Sequence, residues 1–136
     1  MNTNITTDKK IIEETYIKEV NSGEGIIKFD IEDFQSPNRL YQPFALATAE
    51  GDQSITELVS AAMDKINEAG PQDMRSAIIS IFHKDETCIT LDEMLDLREY
   101  LDSVISDPMG YKWGISADST LSHGMKRVRV YAFGML

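Results

Sequence analysis

A chain of 136 residues suffices for one domain, which would bury roughly 68% of its unfolded surface without a covalent or metal staple. A formal net charge of −10 argues against nucleic acid and against an anionic membrane surface as partners, since both are recognised through basic contacts. No apolar run approaches the roughly 18 residues of a membrane span, the polar N-terminus lacks an apolar signal core, and the single cysteine, Cys88, allows no internal disulfide. These features point to the cytoplasm.

Residues 1–7 are polar and rich in Thr and Asn, and are expected to be a flexible N-terminus. Asp8 or Thr7 can cap a helix over 8–22, with Ile12, Tyr16 and Val20 recurring every four residues and Ile11 and Ile17 beside them. Gly23 suits its C-terminal stop. The stretch Gly25-Ile26-Ile27-Lys28-Phe29-Asp30-Ile31-Glu32-Asp33-Phe34 then sets two aspartates three positions apart, the spacing of neighbours on a helix's first turn. Asp30 can cap a short helix over 31–35, which Pro37 and Asn38 would end. On local chemistry alone, Asp30 and Asp33 serve such a helix's positive end.

Residues 41–49 read as a strand with Pro43 near its start or at an edge. Ser54 and Glu57 form a capping box, opening a helix to about Ala69 with Ile55, Leu58, Val59, Ala62 and Ile66 on one stripe. Ser76–Phe82 is a continuous apolar run, as in a strand buried on both faces. Thr90 and Glu93 repeat the capping box. They open a helix to about Ile105, with Leu91, Met94, Leu95, Leu101 and Ile105 on its stripe and Leu97 and Val104 widening it. Lys112–Ala117 reads as a strand, Asp118–Gly124 as a turn-rich connection, and Lys126–Phe133 as the clearest strand in the chain. In that last strand Val128, Val130 and Ala132 share one face and Arg127, Arg129 and Tyr131 the other. The first three strands alternate with helices long enough for crossovers, which favours parallel pairing.

At this point the sequence resembles the back part of the FtsZ family, the tubulin-like GTPases of bacterial division, from the end of the central helix onward. Gly25, Asp30 and Asp33 match the family's Gly-x-x-Asn-x-Asp-x-x-Asp loop, with Lys28 where the family has Asn. Gly114 and Asp118 match Gly-x-x-x-Asp, and Arg127, Val128, Val130, Ala132 and Gly134 match the closing strand Arg-Val-x-Val-x-Ala-x-Gly. The resemblance implies an α+β fold: a four-stranded mixed sheet in the order β-α-β-α-β-β, two helices on one face, the last strand antiparallel, and an N-terminal helix in front. The domain plan is then a flexible segment 1–7, a helix with acidic loop and short helix over 8–40, and the sheet domain over 41–136.

In FtsZ-like polymers this loop enters the nucleotide pocket of the next subunit, where its carboxylates place the attacking water. By resemblance Asp30 and Asp33 would be that pair, acting only in trans, with Gly25 and Lys28 on the partner- or phosphate-facing loop. Lys28 can contact phosphate as a point charge, or pair with Asp30 or Glu32. None of the eight glycines adjoins another and no Gly-rich phosphate loop exists, so the chain is not expected to be an enzyme alone or to hold a cofactor. The leading expectation is an interaction module that caps or modulates an FtsZ-like cytoskeletal polymer or GTPase. The alternatives are a half-site completing GTP hydrolysis in trans and a homo-oligomeric binding domain unrelated to division.

Other chemistry-bearing residues read as structural. His83 and His123 match no metal-ligand spacing and are expected in solvated loops. Cys88 has no evident base beside it. Lys126, Arg127 and Arg129 form the only basic cluster; Arg127 and Arg129 share one strand face, which could meet an acidic partner, with a solvated sheet face or pairing with the chain's many carboxylates the favoured readings. Trp113 is expected to pack in the core or on a sheet face.

Overall fold

The computed structural model describes residues 1–22, 42–69, 74–84, 89–105 and 110–134. The loop residues Gly25, Lys28, Asp30 and Asp33, the short helix over 31–35 and Cys88 lie outside the described residues. The elements are β1 (Asn2–Thr6), α1 (Lys9–Ser22), β2 (Gln42–Gly51), α2 (Ile55–Ala69), β3 (Ser76–His83), α3 (Leu91–Val104), β4 (Tyr111–Ala117) and β5 (Lys126–Gly134).

The strands form one mixed sheet in the order β1-β2-β5-β3-β4. β5 runs antiparallel to both β2 and β3, β3 is parallel to β4, and β1 is antiparallel to β2. The three strands that alternate with helices therefore share one direction, as the crossover lengths suggest. β2 and β3 are not adjacent, because β5 is inserted between them. The closing strand meets β4 through β3 rather than by direct pairing. Pro43 sits at the start of β2, where the register with β5 shifts between Pro43 and Ala45, a place where a missing N–H is tolerated.

The sheet has five strands rather than the four expected, and the N-terminus supplies the extra one. Residues 2–6, expected to be flexible, pair with β2 from Asn2 against Glu50 to Thr6 against Leu46. Their Asn/Thr composition hides a strand that carries little apolar surface. Ile5 alone packs on the main core, and the backbone ladder supplies the rest.

Strict alternation divides the sheet into two faces. On one, Ala45, Ala47, Ala49, Ile79, Ile81, Val128 and Val130 meet α2 and α3 in the larger core. On the other, Leu46, Ile78, Tyr131 and Phe133 meet Ile12 and Tyr16 of α1. The helices thus lie as expected for α2 and α3, on one face, with α1 covering part of the other. The predicted stripe of α2 is buried throughout, with Met63 added to it.

Helix starts follow the caps. Asp8, not Thr7, caps α1: its carboxylate accepts from the Lys10 N–H at 2.9 Å. The Ser54 and Thr90 hydroxyls each accept from the N–H three residues on, at 3.2 Å. The stripe of α3 differs from expectation. Leu97 and Leu101 are buried, with Ile105 just beyond the helix, whereas Leu91, Leu95 and Val104 are exposed. The helix has more apolar positions than one face can hold, and its rotation on the sheet selects the face centred on Leu97 and Leu101.

His83 is not a solvated loop residue. It ends β3, buried, opposite Lys126 of β5 and Ala117 of β4, and its carbonyl accepts from the Asp118 N–H at 2.8 Å. His123 is exposed in the β4–β5 connection. In that connection Gly124 has φ of 78°, a conformation that disfavours side chains. Trp113 packs against the larger core.

Candidate functional site

The acidic loop expected to carry chemistry follows α1, so the described part of the candidate site is the mounting of that helix. α1 runs Ile12, Tyr16, Glu19 along its sheet-facing side, steps of four and three that keep all three in register. Ile12 and Tyr16 bury apolar surface, and the Tyr16 ring stands edge-on to Tyr131 at 5.3 Å between centroids. Burial, and then the Glu19 charge, pushes the Tyr131 phenol far above its ordinary range, which keeps it neutral.

Glu19 fastens the last part of the helix. Its carboxylate accepts from the Arg129 guanidinium of β5 and from the Ser80 hydroxyl of β3, the latter at 2.7 Å. Arg129 also lies over the Phe82 ring, 5.0 Å from its centroid. The two side chains bonded to Glu19 come from β5 and β3, adjacent interior strands of the sheet. The last turns of α1 are thereby tied to the sheet.

The other two residues of the basic cluster, Arg127 and Lys126, are also partnered. Arg127 pairs with Glu50 at 3.4 Å and with Asp118 at 3.1 Å. Lys126 is buried on the opposite face, donating to the Gln53 carbonyl at 3.2 Å and to Glu93 at 3.3 Å. The basic cluster is therefore a set of internal ties rather than an exposed anion-binding patch.

Gly114 and Asp118 keep separate roles. Gly114 is a buried strand residue opposite Ser80. Asp118 organises the β4–β5 connection: one carboxylate oxygen accepts from the Thr120 hydroxyl and from its N–H at 2.9 Å, and the other accepts from Arg127. The Thr120 hydroxyl, its N–H and Arg127 together hold the Asp118 carboxyl below its ordinary 3.8 against the opposing effect of burial. A depressed folded-state value means that Asp118 contributes stability above the ordinary carboxylate range and loses it as pH falls through the folded value. Asp118→Asn is therefore expected to flatten the acid side of the stability–pH curve below about pH 4. Urea midpoints of the two proteins between pH 3 and pH 6 check this.

Between the end of α1 and the ends of β3, β4 and β5 lies an open cleft of about 560 Å³. Thr15 and Lys18 form its helical wall, Ser116 and Ser119 its rim, and the Glu19–Arg129 pair with Phe82 its floor. Its lining is mixed in charge and already internally bonded. Among the described residues no group of three or more His, Cys, Asp or Glu side chains could hold a metal ion.

By sequence, no family model and no curated protein matches the chain. Among solved structures, an empty FtsZ dimer from M. jannaschii superposes with a TM-score of 0.64 at 22% identity, covering 91% of this chain. A point mutant of FtsZ from the same organism superposes with a TM-score of 0.62 at 19% identity, covering 93%. The fold is that of the FtsZ C-terminal domain. The chain covers 36% and 40% of those two FtsZ chains, so the likeness is to a part of FtsZ and not to the whole.

Two residues of this mounting are not singled out by the sequence pattern, Glu19 and Ser80. A signal for Glu19 exists: it continues the Ile12–Tyr16 stripe by three residues, placing a carboxylate on a sheet-facing side, while Arg129 projects from the matching sheet face. Ser80 carries no comparable signal, because a serine inside an apolar strand reads equally as packing.

Proposed function

We propose that this chain is an FtsZ-like interaction module that docks its Gly25–Asp33 segment against the nucleotide face of an FtsZ-like GTPase subunit and caps or modulates the polymer. The observation that carries this reading is the superposition of over nine-tenths of the chain on about two-fifths of FtsZ or less, with α1 leading directly into the segment that bears Asp30 and Asp33. In this reading Gly25 gives the turn, Lys28 faces phosphate, and Asp30 and Asp33 face the partner's pocket. The chain contributes no phosphate-binding loop of its own, so any hydrolysis belongs to the partner. The setting is the cytoplasm, where such polymers assemble.

The test is co-sedimentation of the purified domain with the FtsZ-type GTPase of the same cell in GTP, recording polymer mass and phosphate release together. Loss of polymer at substoichiometric dose, weakened in Asp33→Ala, is the expected result. Faster phosphate release that disappears in Asp33→Ala would assign the trans half-site instead. No change in either signal would remove the docking role and leave a fold without that partner.

A further inference from the structure

The outer face of α3 carries two of the most exposed large apolar side chains among the described residues. Leu91 is 70% exposed and Leu95, one turn later, is 50% exposed, although both are residues that folding ordinarily buries. Met94 lies beside them, half-buried against the larger core. Asp92, Asp96 and Glu99 are exposed around this pair, and none of the three enters an ion pair among the described residues. The helix carries five carboxylates and one base, Arg98. Elsewhere the large charged side chains of the sheet are paired off internally, as with Arg127, Arg129 and Lys126.

We propose that this face docks a basic amphipathic protein segment, whose apolar side chains seat on Leu91 and Leu95 and whose lysines or arginines meet Asp92, Asp96 and Glu99. Charge selects this occupant over the others. A second copy placed symmetrically would set acidic rim against acidic rim in a chain already at −10, and anionic lipid would be repelled in the same way. A helix laid along α3 matches the one-turn spacing of the two leucines, with its charged flank supplying register. This inference does not rest on the docking of the Gly25–Asp33 segment, since α3 and the larger core lie on the opposite sheet face from α1.

The experiment titrates the full chain with a synthetic amphipathic peptide of leucine and lysine, and with the same peptide carrying glutamate for lysine. Amide shifts are followed by NMR and affinity by fluorescence anisotropy. Shifts centred on Leu91–Glu99 are expected, with affinity falling as salt rises. The Leu91→Ser/Leu95→Ser variant should lose about tenfold or more in affinity, and Asp92→Asn/Asp96→Asn/Glu99→Gln should lose most of the salt dependence. Both variants change exposed positions and should keep the wild-type melting temperature. Shifts centred elsewhere, equal binding by the leucine variant, or equal binding of the acidic peptide would overturn the proposal. Self-association through Leu91 and Leu95 in sedimentation equilibrium would assign the face to a second copy and overturn it as well.

Discussion

Glu19→Ala is expected to destabilise the domain by about 2–3 kcal/mol in urea unfolding near neutral pH. The carboxylate is the acceptor for Arg129 and for the Ser80 hydroxyl, in a pair whose side chains are only 11% and 24% exposed. Truncation leaves a largely desolvated guanidinium and a hydroxyl without that acceptor. The cost is therefore that of breaking a pair, which exceeds the net worth of having it. The paired variant Glu19→Ala/Arg129→Ala should recover part of the loss, giving a coupling of about 1 kcal/mol or more in a double-mutant cycle. A cycle that closes at zero would mean that the Arg129–Glu19 contact is not formed in solution. Hydrogen exchange gives a second readout: amides in the last turns of α1 should lose protection selectively, because Glu19 is what fastens that part of the helix to the sheet.

Ile79→Ala should have the larger effect, about 3–4 kcal/mol, with an unchanged urea m-value. Ile79 is fully buried near the middle of β3, between Val130 of β5 and Trp113 of β4 in register, and it faces the core shared by α2 and α3. Both flanking strands and both overlying helices are packed there, so the site has little room to collapse onto the missing atoms. Ile11→Ala provides the contrast. Ile11 is 47% exposed on the solvent side of α1, and its replacement should stay within about 0.5 kcal/mol of wild type. If the two substitutions cost the same, the placement of Ile79 in the packed core and of Ile11 in solvent would be wrong.

These two expectations rest on different kinds of information in the chain. Ile79 lies in the largely apolar run Ser76–Phe82 with its three isoleucines, and such a run is enough to mark an interior strand. The alternation in β5 and the two capping boxes are legible for the same reason. Local geometry repeats every two or every 3.6 residues, and side-chain chemistry follows that period. The motif at Arg127, Val128, Val130, Ala132 and Gly134 extends this legibility to the fold, and the superposition on the FtsZ C-terminal domain agrees with it.

The departures from expectation share a different origin. Asn2–Thr6 reads as flexible because its stability comes from a backbone ladder with β2, which side-chain pattern does not encode. His83 reads as the start of a polar loop, yet the ladders with β4 and β5 extend through it. In α3, Leu91, Leu95, Leu97 and Leu101 cannot all face the core, and only the angle at which the helix lies on the sheet decides for Leu97 and Leu101. That choice also places Leu91 and Leu95 in solvent.

The sequence by itself determined which segments become the main strands and helices, where α2 and α3 begin, and which side of β5 is apolar, because each depends on residues within a turn or two. Only the tertiary structure decided that β5 lies between β2 and β3, that the N-terminal residues complete the sheet, and that Glu19 reaches Arg129 and Ser80 across 110 and 61 positions of chain. Contacts of that separation depend on closing long loops and on the twist and stacking of whole elements, and no local pattern of residues records their outcome.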